Sequence, residues 1–278
     1  MTIDQIIASA FAEDIGDGDH TSLACIDNNK TGKAKLLVKE KGIIAGVELA
    51  KKIFLFSDKN LEVQVFINDG TEINPGDIVL EVSGSELSIL RSERLVLNFM
   101  QRMSGIAAAT HKLNQVIKHT NAKLLDTRKT TPLLREVEKM AVKIGGGENH
   151  RFGLYDMILL KDNHIDFCGG ITKAIEKTHQ YLKEKNLKLK IEVETRTLDD
   201  VKEVLAIGAI QRIMLDNFTP EKLKEAIELI NGKFETEASG GINETNISSY
   251  AETGVDYISV GALTHHIKSL DLSLKAVK

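Results

Sequence analysis

The sequence of 278 residues has no tryptophan, only three prolines and only two cysteines. Cys25 and Cys168 are far apart and in no metal-like spacing, so we expect two reduced thiols. No apolar run reaches the roughly 20 residues that a membrane helix needs. At the N-terminus no basic segment precedes an apolar run, which is not the pattern of a signal peptide. These absences predict a soluble protein of the cytoplasm.

Charge is unevenly distributed along the chain. Residues 91–161 contain 13 Lys and Arg against 6 Asp and Glu, whereas the whole chain has a net charge of −4. A basic centre in an acidic chain suggests a site for a small anion rather than for nucleic acid. Composition alone favours the alternative of a basic, solvated helix face, and only the motifs described below reverse that preference.

The spacing of apolar residues divides the chain into two regimes. Up to about residue 104 we predict strands at residues 34–45, 61–67 and 75–82, with a helix at 47–56. Residues 86–119 have helical spacing, and Gly105 is predicted to break that helix. Further on, short apolar runs alternate with helical segments. The runs are 123–126, 155–161, 188–194, 212–216, 234–239 and 256–260, and the helical segments are 133–144, 171–185, 198–207, 220–230 and 246–253.

Strands that alternate with helices predict a parallel sheet, and the absence of a Gly-rich dinucleotide motif favours a barrel over a doubly wound sheet. Nearly every predicted strand ends in charged or glycine-rich residues. In an α/β barrel these carboxyl ends meet at one rim, where active sites are built. The pattern therefore indicates an enzyme.

The basic residues cluster after two of these strands and a glycine run. Their cationic side chains could converge on one small anion, with Arg offering a planar fork and Lys a point charge. The residues are Arg128, Lys129, His150, Arg151 and Lys161. The glycine run 145–147 has the wrong spacing for a P-loop, and by itself it is more typical of a loop that ends a helix.

Acidic and glycine-rich residues follow the later strands. Glu192 and Glu194 share one strand face, and Asp216 ends the next strand, which suits Mg²⁺ held jointly with substrate phosphate oxygens. The alternative, a buried ion pair between a glutamate and a lysine, stays open for Glu192. The segment 239–241 and Gly261 end the last two strands, where barrels commonly bind phosphate, although each alone could be a packing turn.

Beyond these clusters, the sequence resembles the quinolinate phosphoribosyltransferase family, also called nicotinate-nucleotide pyrophosphorylase (carboxylating). The resemblance covers almost the whole chain. It rests on EDIG (13–16), GDHTS (18–22), ER (93–94), LNF (97–99), SGIA (104–107), DTRKTTP (126–132), GGG (145–147), NHR (149–151), KDNH (161–164), LDNF (215–218), SGGI (239–242) and AETGVD (251–256). Motifs of this length and order are highly specific.

The resemblance implies a pentosyltransferase that converts quinolinate and phosphoribosyl pyrophosphate to nicotinate mononucleotide, CO₂ and pyrophosphate, with Mg²⁺. It implies the type II phosphoribosyltransferase architecture, an α/β fold. Residues 1–108 would form an N-terminal α/β sandwich-like domain and 109–265 an open α/β barrel, with 266–278 packing back onto the first domain. It also implies a homodimer whose sites are completed across subunits.

The family's site residues carry over to positions of this chain. Lys129, Lys161, Glu194 and Asp216 are implied to be catalytic, and Glu194 and Asp216 also to bind the metal. The implied substrate-binding residues are Arg94 from the partner subunit, Thr127, Arg128, Lys129, His150, Arg151, Lys161, Glu194, Asp216, Ser239, Gly240, Gly241, Val260, Gly261 and Ala262. Leu133 departs from a common glycine, and Ala238 from a common serine.

Three alternatives remain beside this function. A related transferase could act on nicotinate or another ring acid, and a homologue associated with molybdate transport shares the architecture. A barrel that has lost catalysis could bind phosphorylated ligands as a regulator. The density of cations around His150 favours a doubly charged ring, and the retained Lys129, Lys161, Glu194 and Asp216 argue against lost catalysis.

Overall fold

A computed structural model describes residues 1–277. Its helices are α1 Ile3–Ile15, α2 His20–Cys25, α3 Val47–Ser57, α4 Glu86–Ile117, α5 Arg135–Ile144, α6 Asp162–Cys168, α7 Ile171–Lys185, α8 Leu198–Ile207, α9 Pro220–Ile230, α10 Ile247–Ala251 and α11 Ala262–His265. Its strands are β1 Thr31–Val38, β2 Gly42–Ile43, β3 Glu62–Val65, β4 Glu72–Ile73, β5 Ile78–Ser85, β6 Lys123–Leu125, β7 Ile158–Leu160, β8 Ile191–Thr195, β9 Arg212–Asp216, β10 Glu235–Ser239, β11 Tyr257–Ser259 and β12 Leu272–Val277. None of these helices is long and apolar enough to cross a membrane.

The chain folds into two compact units. The first comprises residues 1–111, residues 130–146 and the C-terminal segment from Leu263, and the second comprises residues 112–129 and 147–262. Residues 130–146, which the sequence analysis counted with the barrel, thus belong to the first unit. The predicted boundary between an N-terminal domain ending at residue 108 and a barrel domain beginning at residue 109 stays a prediction.

An antiparallel sheet forms the centre of the first unit. Its strand order is β12-β1-β5-β3, so the last strand of the chain pairs with the first. Ala34, Leu36 and Val38 alternate along β1 and are buried, as expected for a strand with one face against a core. A separate pair, β2 and β4, is also antiparallel.

Helix α4 continues through Gly105, so the predicted break at that residue is wrong. A side chain at Gly105 would place its Cβ 2.3 Å from the carbonyl oxygen of Lys268. Glycine is needed at this position because another backbone segment passes the helix closely, and not because the helix ends there.

A parallel sheet of six strands forms the second unit, in the order β6-β11-β10-β9-β8-β7. Consecutive strands from β7 to β11 are neighbours, and β6 pairs with β11. Among the described residues β6 and β7 form no ladder with each other, so the barrel is open, as predicted. Because all six strands run in the same direction, their carboxyl ends meet at one rim.

Leu133, the residue that departs from a common glycine, lies in the left-handed region with φ +68° and is 69% exposed. A non-glycine residue in that conformation is strained by about 1–2 kcal/mol. Glycine avoids this strain, but its greater conformational freedom in the unfolded state lowers the free energy of unfolding by about 0.5–1 kcal/mol. We therefore expect Leu133→Gly to raise the free energy of unfolding by about 0.5–1 kcal/mol. Denaturant unfolding of the two proteins measures this difference.

Leu154 provides the matched control, because it is 70% exposed and is absent from the residues with positive φ. Leu154→Gly relieves no backbone strain and should lower the free energy of unfolding by about 0.5–1 kcal/mol. Equal destabilisation by both substitutions would show that the backbone at residue 133 is not strained.

Candidate active site

A cleft of about 460 Å³ opens at the barrel rim of the second unit. Most of the predicted site residues line it, namely Thr127, Arg128, Lys129, His150, Arg151, Lys161, Glu194, Asp216 and Ser239. The cleft is also lined by six residues that the sequence analysis did not assign to a binding role, namely Asp126, Leu159, Asp162, Met214, Glu237 and Ser259. The structure thus brings nine predicted residues to one place.

The parallel strands explain this convergence. Residues 126–129 follow β6, Lys161 follows β7, and Glu194, Asp216, Ser239 and Ser259 lie at or beside the carboxyl ends of β8, β9, β10 and β11. Side chains alternate along a strand, so Glu192 and Glu194 share the interior face of β8. Their ladder partners on β9 are Arg212 and Met214, which repeat the same alternation.

Two guanidinium groups occupy the basic side of the cleft. Arg151 is buried, and its Nη1 donates to the carbonyl oxygen of Met157 at 3.3 Å. Burial lowers the pKa of Arg151, and the nearby charge of Arg128 lowers it further. Both groups stay charged, since the guanidinium does not deprotonate in proteins. A carboxylate bound between them would relieve their mutual repulsion and could accept hydrogen bonds from both.

His150 lies deeper, with its side chain 6% exposed. Its Nε2 is 2.9 Å from Glu192 Oε2 and 3.3 Å from Glu237 Oε2. Burial opposes a charge on the ring, but hydrogen bonds to the two carboxyl groups outweigh burial and shift the pKa of His150 upward. The backbone N–H of Arg151, however, donates to Nδ1 at 2.7 Å. A proton on Nδ1 would break that bond, so we assign the neutral ring with its proton on Nε2.

Glu192 and Glu237 are two buried carboxyl groups that face the same imidazole. Burial raises the pKa of Glu192 to about 7, and the charge of Glu237 adds to this rise. Glu237 Oε2 also accepts from Arg212 Nη1 at 2.9 Å. A pairing of Glu192 with a lysine was open from the sequence, and the structure pairs Glu192 with His150 instead.

The acidic side of the cleft holds Glu194 and Asp216. Glu194 accepts from the backbone N–H of Asp162 at 3.4 Å, and its Oε2 is 3.7 Å from Lys161 Nζ. Burial raises the pKa of Glu194, and the negative charge of Asp216 also raises it, against the opposing effect of Lys161. Asp216 Oδ2 accepts from Asn217 Nδ2 at 2.6 Å. Two carboxyl groups whose charges interact in this way form a site suited to a positive charge.

The predicted phosphate loops follow β10 and β11. Gly240 and Gly241 have φ of +98° and +63°, so both adopt a conformation that favours glycine. A Cβ at Gly240 would lie 2.2 Å from Asn217 Oδ1. Of the predicted loop residues Ser239 lines the cleft, and so does Ser259 at the end of β11, which was not predicted. The other predicted loop residues do not line it, namely Gly240, Gly241, Val260, Gly261 and Ala262.

Arg94, the remaining predicted residue, is exposed on α4 and belongs to the first unit. Its assignment to a site across a dimer stays a prediction. Glu237 is the most informative residue that the sequence analysis missed. It stands two residues before Ser239 on β10, so the alternation that pairs Glu192 with Glu194 could have placed it in the barrel interior.

Comparison with known proteins bears on this arrangement. Residues 19–104 match the N-terminal domain of quinolinate phosphoribosyl transferase, and residues 106–275 match its C-terminal domain. The chain belongs to the quinolinate phosphoribosyltransferase family. It is 47% identical over 285 residues to a chloroplastic nicotinate-nucleotide pyrophosphorylase (carboxylating) of Arabidopsis thaliana, covering 97% of this chain and 81% of that protein.

Bacterial relatives are similar over nearly their whole length. A probable nicotinate-nucleotide pyrophosphorylase (carboxylating) of Bacillus subtilis is 41% identical over 274 residues, covering 99% of this chain and 93% of that protein. The crystal structure of NadC from Streptococcus pyogenes has a TM-score of 0.93 at 40% identity, covering 99% of this chain and 97% of that one. Family membership therefore extends over both parts of the chain.

Gly240 offers a direct test of the predicted phosphate loop. Gly240→Ala adds a Cβ against Asn217 at a positive φ, so we expect a loss of about 2–4 kcal/mol in the free energy of unfolding or a displaced loop. A displaced loop should weaken the affinity for phosphoribosyl pyrophosphate, measured by calorimetry on the folded protein. The control is Gly254→Ala, where φ is +89° but no atom lies within 4 Å of the new Cβ. Equal effects of the two substitutions on binding would contradict the assignment of the loop.

Proposed function

We propose that this chain transfers the phosphoribosyl group of phosphoribosyl pyrophosphate to quinolinate and releases CO₂ and pyrophosphate, giving nicotinate mononucleotide for NAD biosynthesis. One observation carries the proposal. A single cleft is lined by two interacting guanidinium groups, Arg128 and Arg151, which form its basic side, and by two interacting carboxyl groups, Glu194 and Asp216, which form its acidic side. The basic side suits a ring with two carboxylates, and the acidic side suits a sugar that becomes positively charged.

At the basic side, Arg128, Arg151 and Lys129 supply donors for a dianionic ring, and Lys161, whose Nζ is 3.7 Å from Glu194 Oε2, supplies another from beside the acidic side. Holding both carboxylates orients the pyridine nitrogen, which is the atom that must attack the ribose. Orientation of this kind replaces an encounter between two free molecules by a reaction within one complex. No side-chain nucleophile is required.

At the acidic side, departure of pyrophosphate leaves positive character on C1 of the ribose. Glu194 is buried and fixed by the backbone N–H of Asp162, so its charge needs little reorganisation to stabilise that centre. Asp216 lies at the end of the neighbouring strand β9 and adds a second negative group.

Mg²⁺ fits the donor set of Glu194 and Asp216. Both are hard oxygen ligands at the cleft, and burial and the charge of Asp216 raise the pKa of Glu194, a repulsion that a divalent cation would relieve. When bound, the ion supplies positive charge to the pyrophosphate leaving group. The buried group of His150, Glu192 and Glu237 is a poorer candidate, because Arg212 already neutralises Glu237.

Decarboxylation follows from the charge of the product ring. Once the nitrogen is glycosylated the ring is a pyridinium, which stabilises the carbanion that departing CO₂ leaves at C2 until a proton from solvent adds there. The basic side must hold the leaving carboxylate without stabilising it more than the transition state. Transfer therefore precedes loss of CO₂.

We further propose a homodimer in which Arg94 of each subunit reaches the site of its partner. Arg94 is an exposed cation on α4, and the family resemblance assigns its position to quinolinate binding. The cytoplasmic location expected from the sequence remains a prediction, and the Arabidopsis thaliana relative is named chloroplastic.

The reaction itself is tested with quinolinate labelled at the C2 carboxylate. Incubation with phosphoribosyl pyrophosphate and Mg²⁺ should give labelled CO₂ and nicotinate mononucleotide in equal amounts. Omission of either substrate, or addition of a chelator, should stop both. Binding of both substrates without product would instead favour a barrel that has lost catalysis.

Lys129 and Lys161 are the basic side chains that can be removed with least effect on the fold, because both are exposed. Lys129→Ala or Lys161→Ala should lower kcat/KM for quinolinate by roughly 100-fold, as expected when a charged contact to the reacting ring is lost. Lys202→Ala is the control, since Lys202 is exposed on α8 and pairs only with Asp199 among the ion pairs of the described residues. Near-normal kinetics of both active-site variants would refute their assignment.

The shared-site proposal predicts complementation between two inactive variants. A mixture of Arg94→Ala and Lys161→Ala proteins should regain activity, because a mixed dimer contains one site with both residues intact. With random exchange half of the dimers are mixed, and about a quarter of wild-type activity is the upper limit for such a mixture. Absence of recovery, with subunit exchange demonstrated by mass spectrometry, would contradict a site completed by Arg94 of the partner.

A further inference from the structure

The floor of the cleft contains a buried polar cluster that the proposed mechanism does not use. Glu192 on β8 and Glu237 on β10 have side chains that are 1% and 0% exposed. Both carboxyl groups face Nε2 of His150 at 2.9 and 3.3 Å. Barrel interiors are usually filled by branched apolar side chains, so buried carboxyl groups at this level need a reason.

Both ring nitrogens of His150 are engaged by the protein itself. Nε2 faces the two carboxyl groups, and Nδ1 accepts from the backbone N–H of Arg151 at 2.7 Å. The imidazole can therefore donate to a bound ring only by giving up one of these contacts. The imidazole therefore connects Glu192 and Glu237 at the floor of the cleft to Arg151, the next residue of the chain.

That next residue, Arg151, carries a guanidinium that lines the cleft. The segment has a second anchor, because the backbone N–H of His150 donates to Asp126 Oδ1 at 2.8 Å. Asp126 follows β6 and also lines the cleft. The position of Arg151 thus depends on contacts from β6, β8 and β10.

The carboxyl groups are themselves held in place. Arg212 Nη1 donates to Glu237 Oε2 at 2.9 Å, and the guanidinium stacks 4.0 Å from the centroid of the Tyr257 ring. Arg212 also contacts Glu235, which is more exposed and does not reach His150 among the described contacts. The charge of Arg212 stabilises Glu237 in an interior where an unpaired carboxylate would be costly.

We propose that Glu192 and Glu237 are positioning residues for the acceptor ring: they hold the imidazole of His150, and through it they fix Arg151 against the carboxylates of quinolinate. This inference rests on the proposed function, and it assigns a role to Glu192 and Glu237 that does not involve touching the substrate. His150 lines the cleft, and in this role it also links the two carboxyl groups to Arg151.

Glu192→Leu tests the proposal, because leucine has a similar volume but accepts no hydrogen bond from His150. We expect the KM for quinolinate to rise about tenfold, the change that corresponds to loss of one buried hydrogen bond. The KM for phosphoribosyl pyrophosphate should stay within about twofold, since its phosphate loops follow other strand ends. Glu192→Gln keeps an acceptor oxygen and should recover most of the affinity for quinolinate.

Two further variants separate positioning from a general loss of structure. Glu235→Gln changes the other partner of Arg212 on the same strand, and it should leave both KM values unchanged. In a His150→Ala background, Glu192→Leu should raise the KM for quinolinate by less than about twofold more, because its effect passes through His150. If Glu192→Leu does not fold, Glu237→Leu in both backgrounds gives the same comparison, because leucine again removes an acceptor that faces His150.

A wild-type protein that makes no product from quinolinate would refute the proposed function, and the positioning role with it. With an active wild type, three results would overturn the positioning role alone. They are an unchanged KM for quinolinate in Glu192→Leu, an equal rise of both KM values, and full additivity of the Glu192 and His150 substitutions.

Discussion

The parallel direction of six short strands is the constraint on which the site depends. Because β6 to β11 all run the same way, one side chain after another is delivered to the same rim, although the residues are far apart in sequence. Lys129 and Asp216 are separated by 87 positions and line one cleft. The helices between the strands need only cover the sheet, and the chemistry is confined to the strand ends.

At this rim side chains of like charge interact with each other, and their repulsion costs free energy. Burial is the main cause of the lowered pKa of Arg151 and of the raised pKa of Glu194, and the like charges of Arg128 and Asp216 shift these two pKa values further in the same directions. A protein without a ligand gains nothing from such pairs. Anionic and cationic groups of bound substrates would relieve both repulsions, and the cost is therefore best understood as preparation for binding. These two pairs of like charges, rather than any one residue, distinguish the cleft from a solvated surface.

The barrel was predictable because its helices and strands have strong periodic patterns. Strand Arg212–Asp216 and helices Ile171–Lys185, Leu198–Ile207 and Pro220–Ile230 were predicted with the boundaries that the structure has. Helix α6 was missed because only Ile165 of its residues is buried, so the segment has no apolar period. The predicted break at Gly105 was wrong because a single sequence does not show that the backbone of Lys268 passes nearby. The pairing of Glu192 with His150 was missed for the same reason, since it joins residues 42 positions apart.

The basic side of the cleft is expected to select a ring with two carboxylates. The most direct test compares kcat/KM for quinolinate and for nicotinate, with phosphoribosyl pyrophosphate and Mg²⁺ held at saturation, by release of pyrophosphate. Nicotinate lacks one carboxylate and leaves part of the basic side unpaired, so quinolinate should be preferred on the order of 100-fold or more. Comparable efficiency with the two rings would contradict the account and favour a transferase that acts on a monocarboxylate.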